Sequence, residues 1–199
     1  MQGAPGTVIR NNIEGIFEIS PVRYDGAGAQ PFPPDYQDQE DLQRYLEPSL
    51  LIESNDEILA AKAREITTGS DNCWAAACTL SRWVGQEIGP AIPGGSARQT
   101  YDKGGGECAS HSRLLAAFCR SVGIPTRLAT GCMYTGIYDG SFGQHVWNEI
   151  YMGEAGWIPV DATVHEYDFI DAGHIRLGEL TSFNPSEMEI LEFALKPKD

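Results

Sequence analysis

The spacing of apolar residues changes character along the chain. Residues 7–24, TVIRNNIEGIFEISPVRY, alternate only partially and predict one or two strands; residues 25–40, DGAGAQPFPPDYQDQE, are a Gly-, Pro- and acid-rich loop. From Leu42 the period becomes helical. A short helix ends near Pro48, and Ser54 with Glu57 three residues later forms a capping-box pattern that predicts a second start. Ile58, Leu59, Lys62, Ala63 and Ile66 then share one face, up to a stop at Gly69. A further helix is predicted over 71–88, with Trp74, Ala77 and Cys78 at three- and four-residue spacing, ended by Gly89 and Pro90. Residues 89–106 are punctuated by glycine and proline and are expected to be loop. A third long helix follows, with Leu114, Leu115, Phe118 and Val122 on its apolar face and Gly123 and Pro125 closing it. Beyond it, TRLATGCMY, HVWNEIYM, WIPVDATV and HIRLGEL alternate or run apolar between turn residues, as neighbouring antiparallel strands do; the tail EMEILEFAL is read as strand. Helices segregated before strands predict an α+β domain, helices packed against an antiparallel sheet.

Composition narrows this picture. A chain of 199 residues suits one sizeable domain, and 42% hydrophobic with 21% charged residues is globular. No window holds the roughly 18 apolar residues of a membrane span. The net charge of -14, from 28 acids against 14 bases, argues against nucleic-acid binding, which needs clustered Lys and Arg; a solvated acidic surface is expected. Five cysteines leave at least one thiol unpaired. The start, MQGAPGTVIRNN, has neither a basic region nor an apolar one, so no signal peptide is expected in it, and a trimmed exported protein would read the same. No compartment, oligomeric state, metal or cofactor is assigned.

Chemistry concentrates around Cys108. In GGGECASHSRLL it stands in the first turn of the third predicted helix, where unpaired backbone N–H groups and the helix dipole stabilise a thiolate. The glycines before it, Gly106 among them, are expected to line a cleft that a substrate backbone enters. His145, 37 residues later in GQHVWNEIYM, heads a predicted strand. Asp161, another 16 residues on in GWIPVDATV, falls late in the next. Two such strands bring His and Asp together, the Asp orienting the imidazole toward sulfur. Cys108 with His111 is also a C-x-x-H pair, but no second pair follows to complete a zinc site. Cys73, Cys78, Cys119 and Cys132 read as core, Arg120 and Arg127 as structural. The polar group His165, Asp168, Asp171 and His174 reads first as surface-loop polarity and second as a cleft wall or cation site.

Three blocks in this order, G-G-E-C with its helix ending RSVGIPTR, H-V-W-N-E-I-Y and G-W-I-P-V-D-A-T, resemble the transglutaminase-like core of the papain-like thiol enzymes, over about Tyr45 to Gly178. The resemblance implies a papain-like fold with the nucleophile at the N-terminus of a central helix, Cys108 attacking an amide carbonyl, His145 as base, Asp161 as orienting acid, and a thioester intermediate. Water then gives hydrolysis, and an amine gives transamidation. Ala162 stands where the family often has proline. The family's oxyanion donors are the cysteine's own N–H and an upstream side chain, here Trp74, Trp83 or Gln99, and spacing does not choose among them. Trp147 and Trp157, beside the His and the Asp, are expected to shield them from water. The expected function is amide cleavage, as a cysteine protease acting on a protein or peptide. The alternatives are a protein-glutamine transamidase and a non-catalytic domain that binds a peptide or cell-wall fragment. Residues 1–40 are expected to be an extension at the edge of a preceding domain, and 41–199 the catalytic domain.

Overall fold

The computed structural model describes residues 15–36, 38–136, 140–179 and 188–192. Along them run β1 (Val22–Arg23), α1 (Glu40–Gln43), α2 (Glu57–Ile66), α3 (Cys73–Glu87), β2 (Gly89–Pro90), α4 (Ala97–Lys103), β3 (Gly105–Gly106), α5 (Cys108–Ser121), β4 (Thr126–Thr135), β5 (Ser141–Tyr151), β6 (Trp157–Val160), β7 (Phe169–Ile170) and β8 (His174–Gly178). The main sheet is antiparallel, in the order β6-β5-β4-β8. β4 and β5 pair over ten residues, from Thr126 opposite Ile150 to Thr135 opposite Ser141. Helices before an antiparallel sheet is the α+β arrangement the periodicity predicts.

α5 is the hub. Its Leu114, Leu115, Phe118 and Cys119 are fully buried, together with Leu59 and Ala63 of α2, Ala77, Leu80 and Val84 of α3, and Ile150 and Val160 of the sheet. Truncating one of these leucines to alanine costs about 2–5 kcal/mol. At its far end the buried Arg120 donates to Thr126 O and Glu47 O, both at 2.9 Å, closing the helix onto the turn that starts β4. α3 approaches the chain after β6 so closely that a Cβ on Gly85 would lie 2.5 Å from Ala162 O, so glycine is required there.

Three local expectations change. The cap of α2 is Asp56, whose carboxylate accepts from Ile58 N (2.9 Å) and Leu59 N (3.1 Å) and pairs with Arg98; the Ser54 hydroxyl points back to Leu46 O. The expected loop over 89–106 contains α4, opened by a capping box between Ser96 and Gln99, and a short parallel pairing of β2 with β3. Only Val22–Arg23 is strand among residues 15–24, and it pairs with β7; Tyr24, Ala29 and Phe32 pack on the main core. Residues 1–14 lie outside the described chain, as do 187 and 193–195 of the tail read as strand; its described part, 188–192, forms no strand.

Candidate active site

Gly104, at φ +65°, ends α4, and β3 leads the chain to Glu107 and Cys108. Cys108 is the first residue of α5 and is half-buried, so its thiol sits beside the uncapped N–H groups of a helix start. The Glu107 side chain caps nothing; it accepts from Ser110 Oγ at 2.9 Å. The stretch Gly94–Ser96 lies against this turn, through Gly95 N to Ser110 Oγ (2.9 Å) and Arg113 to Gly95 O (2.9 Å).

β5 carries His145 opposite Gly131 of β4. β6 ends with Val160 opposite Asn148, so Asp161 follows on across from Trp147 and diagonal to His145, a spacing of about 7–8 Å that side chains bridge. His145 Nε2 donates to Asp161 Oδ2, and both groups are buried. The Cys108 thiol lies near enough to the same imidazole to help hold it protonated. The helix is fastened to this strand one turn on: Ser112 Oγ donates to Val146 O (3.1 Å), and Asn148 Nδ2 donates to Ser112 O (2.9 Å).

Asp161 has a second imidazole. His174 Nε2 lies 3.1 Å from the same Oδ2, while Thr163 N donates to Oδ1 at 2.8 Å. His174 Nδ1 faces Asp171 Oδ1 at 2.9 Å, with Glu166 Oε2 at 3.7 Å. With carboxylates at both nitrogens, each nitrogen must donate, and His174 is an imidazolium. The two imidazoles are 5.7 Å apart, and Trp147 covers both, at 6.1 Å from His145 and 5.3 Å from His174.

The electrostatics follow from this wiring. Burial alone would lower the pKa of His145, but the Asp161 bond and the Cys108 contact outweigh it and raise it to about 9. His174 is likewise raised to about 9, burial being overcome by Asp161 and Asp171. Burial works against the ionised Asp161, but its two histidine partners hold it well below the carboxylate range. Burial pushes Glu166 up to about 7. It also pushes the other thiols up, Cys73 to about 11 and Cys78 and Cys119 to about 12, and all five cysteines are free.

Two groups among the described residues have ligand atoms close enough for a metal, His145–Asp161–His174 and Glu166–Asp171–His174. In both, hydrogen bonds already link the histidines to the carboxylates, with protons where an ion would sit. His111 is buried with Nδ1 against Glu107 O (3.0 Å) and Nε2 against Ile88 O (2.9 Å), turned away from any shared site with Cys108.

Other expected site residues lie elsewhere. Trp157 packs with Tyr45 and under Arg127 at the opposite end of β5, so it shields nothing here. Trp83 contacts Phe118 and lines a cavity of about 330 Å³ with Lys62 and Ile66, more than two helical turns from Cys108. Trp74 is buried against Tyr24. The Gln99 amide oxygen is engaged by Ser96 N in the capping box. Gly106 is buried rather than lining a cleft: a Cβ there would come within 2.3 Å of Ser110 Cβ, so its glycine serves helix packing. His174, read first as loop polarity, is 6% exposed; the only sequence signal for its role was its nearness to Asp161 and Asp171. His165 stays on the surface, at φ +65°.

No curated protein matches the sequence. Among solved structures the chain resembles one titled a "Putative Cysteine Protease" from Cytophaga hutchinsonii, with 23% identity over 68% of this chain and 47% of that one, at a TM-score of 0.56. It also matches the periplasmic domain of TgpA from Pseudomonas aeruginosa, with 22% identity over 62% of this chain and 47% of that one, at 0.48. The chain thus spans about half the length of these structures. The sequence model of the transglutaminase-like superfamily matches residues 60–162, which include Cys108, His145 and Asp161, and the chain belongs to that superfamily.

Proposed function

We propose that the protein is a thiol-dependent amide-cleaving enzyme with Cys108 as nucleophile, His145 as its acid and base, and Asp161 as the orienting carboxylate. The observation that carries this reading is a buried imidazole fixed through Nε2 by the buried Asp161 carboxylate, with the Cys108 thiol at the start of α5 near enough to influence it. The thiolate attacks the carbonyl carbon, and the oxyanion forms beside the Cys108 N–H at the head of α5. His145 gives its Nδ1 proton to the departing amine as the C–N bond breaks, leaving an acyl thioester. Water then attacks, His145 takes its proton, and the C–S bond breaks to release the acid. A protein or peptide is the substrate class, in keeping with the protease title carried by the structural relative from Cytophaga hutchinsonii.

With its pKa raised to about 9, His145 remains an imidazolium through neutral pH. Iodoacetamide at pH 7.5, followed by peptide mapping, is expected to alkylate Cys108 at least tenfold faster than Cys73, Cys78 or Cys119, and H145A to abolish that advantage. Uniform labelling, unchanged in H145A, would refute the proposal. Release of peptides or ammonia is then measured beside incorporation of a fluorescent amine into a glutamine-bearing protein. Release without incorporation supports the hydrolase; dominant incorporation makes the protein a transamidase.

A further inference from the structure

We infer that His174 is a positioning residue of this site, a second imidazole that holds the same oxygen of the Asp161 carboxylate as His145 does and divides its charge between two cations. The inference rests on the reading of Cys108, His145 and Asp161 just given, and adds a member that the motif does not contain.

The geometry carries it. Both imidazoles converge on one oxygen of Asp161, and Thr163 N occupies the other, so the carboxylate has no rotational freedom left. His174 comes from β8, which is hydrogen-bonded to β4 and not to β5. It reaches the site because Gly131 stands between them: a Cβ there would fall 1.9 Å from Ile175 O and 3.0 Å from the Trp147 ring. The charged and titratable groups around His174 are Asp161, Asp171 and Glu166, with the His145 ring 5.7 Å away on the same Asp161 oxygen. Asp171 is itself fixed by Gly173 N at 2.8 Å, so the proton on Nδ1 is held from outside the site.

A carboxylate that neutralises two imidazoliums favours each less than it would favour one alone. His174 therefore tempers the basicity of His145, and removing its charge gives His145 the whole of Asp161. H174Q keeps a neutral donor toward Asp161 and removes the cation; D171N leaves the imidazole and removes the group that keeps it charged. The test is a 15N-detected imidazole titration of His145 in the full chain, beside the pH profile of iodoacetamide alkylation at Cys108, with folding monitored by circular dichroism. In H174Q the His145 midpoint is expected to rise by about one pH unit, and in D171N by less, in the same direction. The alkaline limb of the alkylation profile moves with it.

A purely structural His174 would lower the melting temperature and leave the midpoint in place. Midpoints within about 0.2 units of wild type in both folded variants, or a fall in either, overturn the inference. The titration does not depend on catalysis. If Cys108 proves no more reactive than the other thiols, the enzymatic reading fails whichever way the His145 midpoint moves, so the two failures are separable.

Discussion

Asp161→Asn removes one charge and almost no volume from the most enclosed part of the site. Asp161 is 1% exposed, and its carboxylate accepts from two imidazoles and Thr163 N. The rise of His145 from 6.5 to about 9 is produced largely by this partner acting against burial and corresponds to about 3 kcal/mol of preference for the imidazolium. Asp161's own depression is the same coupling seen from the other side, so it is counted once. Breaking one side of a buried ion pair typically costs about 3–5 kcal/mol, which agrees. The pH dependence has a definite sign. A raised histidine pKa contributes stability that is complete below its unfolded value of 6.5 and is lost as pH rises through about 9. The depressed Asp161 contributes above its unfolded value near 3.8 and loses that contribution as pH falls through its lower folded value. The two windows overlap between about pH 4 and 6.5, where D161N should cost about 3–5 kcal/mol, or roughly 10 °C in melting temperature for a chain of this size. Thermal melts of both proteins at pH 6 and pH 9.5 check this, with most of the gap closing at the higher pH. A gap below about 1 kcal/mol at pH 6, or one of equal size at both pH values, would show that the Asp161 charge is not coupled to the imidazoles as described.

G131A should lose about 3 kcal/mol or more in urea unfolding, because its Cβ would meet the Ile175 carbonyl at 1.9 Å and part β4 from β8; a near-neutral result would mean that this approach relaxes freely. R120M should cost about 2–3 kcal/mol, since it leaves the buried Thr126 carbonyl, and the Glu47 carbonyl beside it, without their donor. W157F should leave alkylation of Cys108 within about twofold of wild type while lowering the melting temperature, because Trp157 packs at the other end of the strand that carries His145.

The long elements were legible because their periods were undisturbed: the apolar face of α5 puts Cys108 at a helix start, and the alternation along β5 puts His145 on a strand. Asp161 was legible because β6 follows β5 directly and antiparallel, which turns a spacing of 16 residues into a diagonal contact. What escaped depended on distant partners. Ser54 and Asp56 both have the chemistry of a helix cap, and the choice goes with Arg98, 42 residues away. α4 is seven residues long and flanked by glycine and proline, so propensity alone reads loop. His174 joins the site through the neighbouring of β4 and β8, and no local pattern around it announces that order. Trp157, four residues from Asp161, was assigned to the site by proximity in sequence, but an extended strand carries neighbours about 3.3 Å apart per residue and so takes it away.

Under the proposed function, the two bonds between Ser112 and the Val146–Asn148 backbone and side chain set a mechanical condition on turnover. They lie one helical turn from the sulfur and one to three residues from the imidazole and tie the start of α5 to β5, so under that reading thiol and base move together and a substrate is not admitted by parting them. Room for an incoming chain has to be made at the rim, where the 94–96 stretch rests on α5 through Ser110 and Arg113. Substrate preference can then be altered by rebuilding that rim while the reacting pair keeps its geometry.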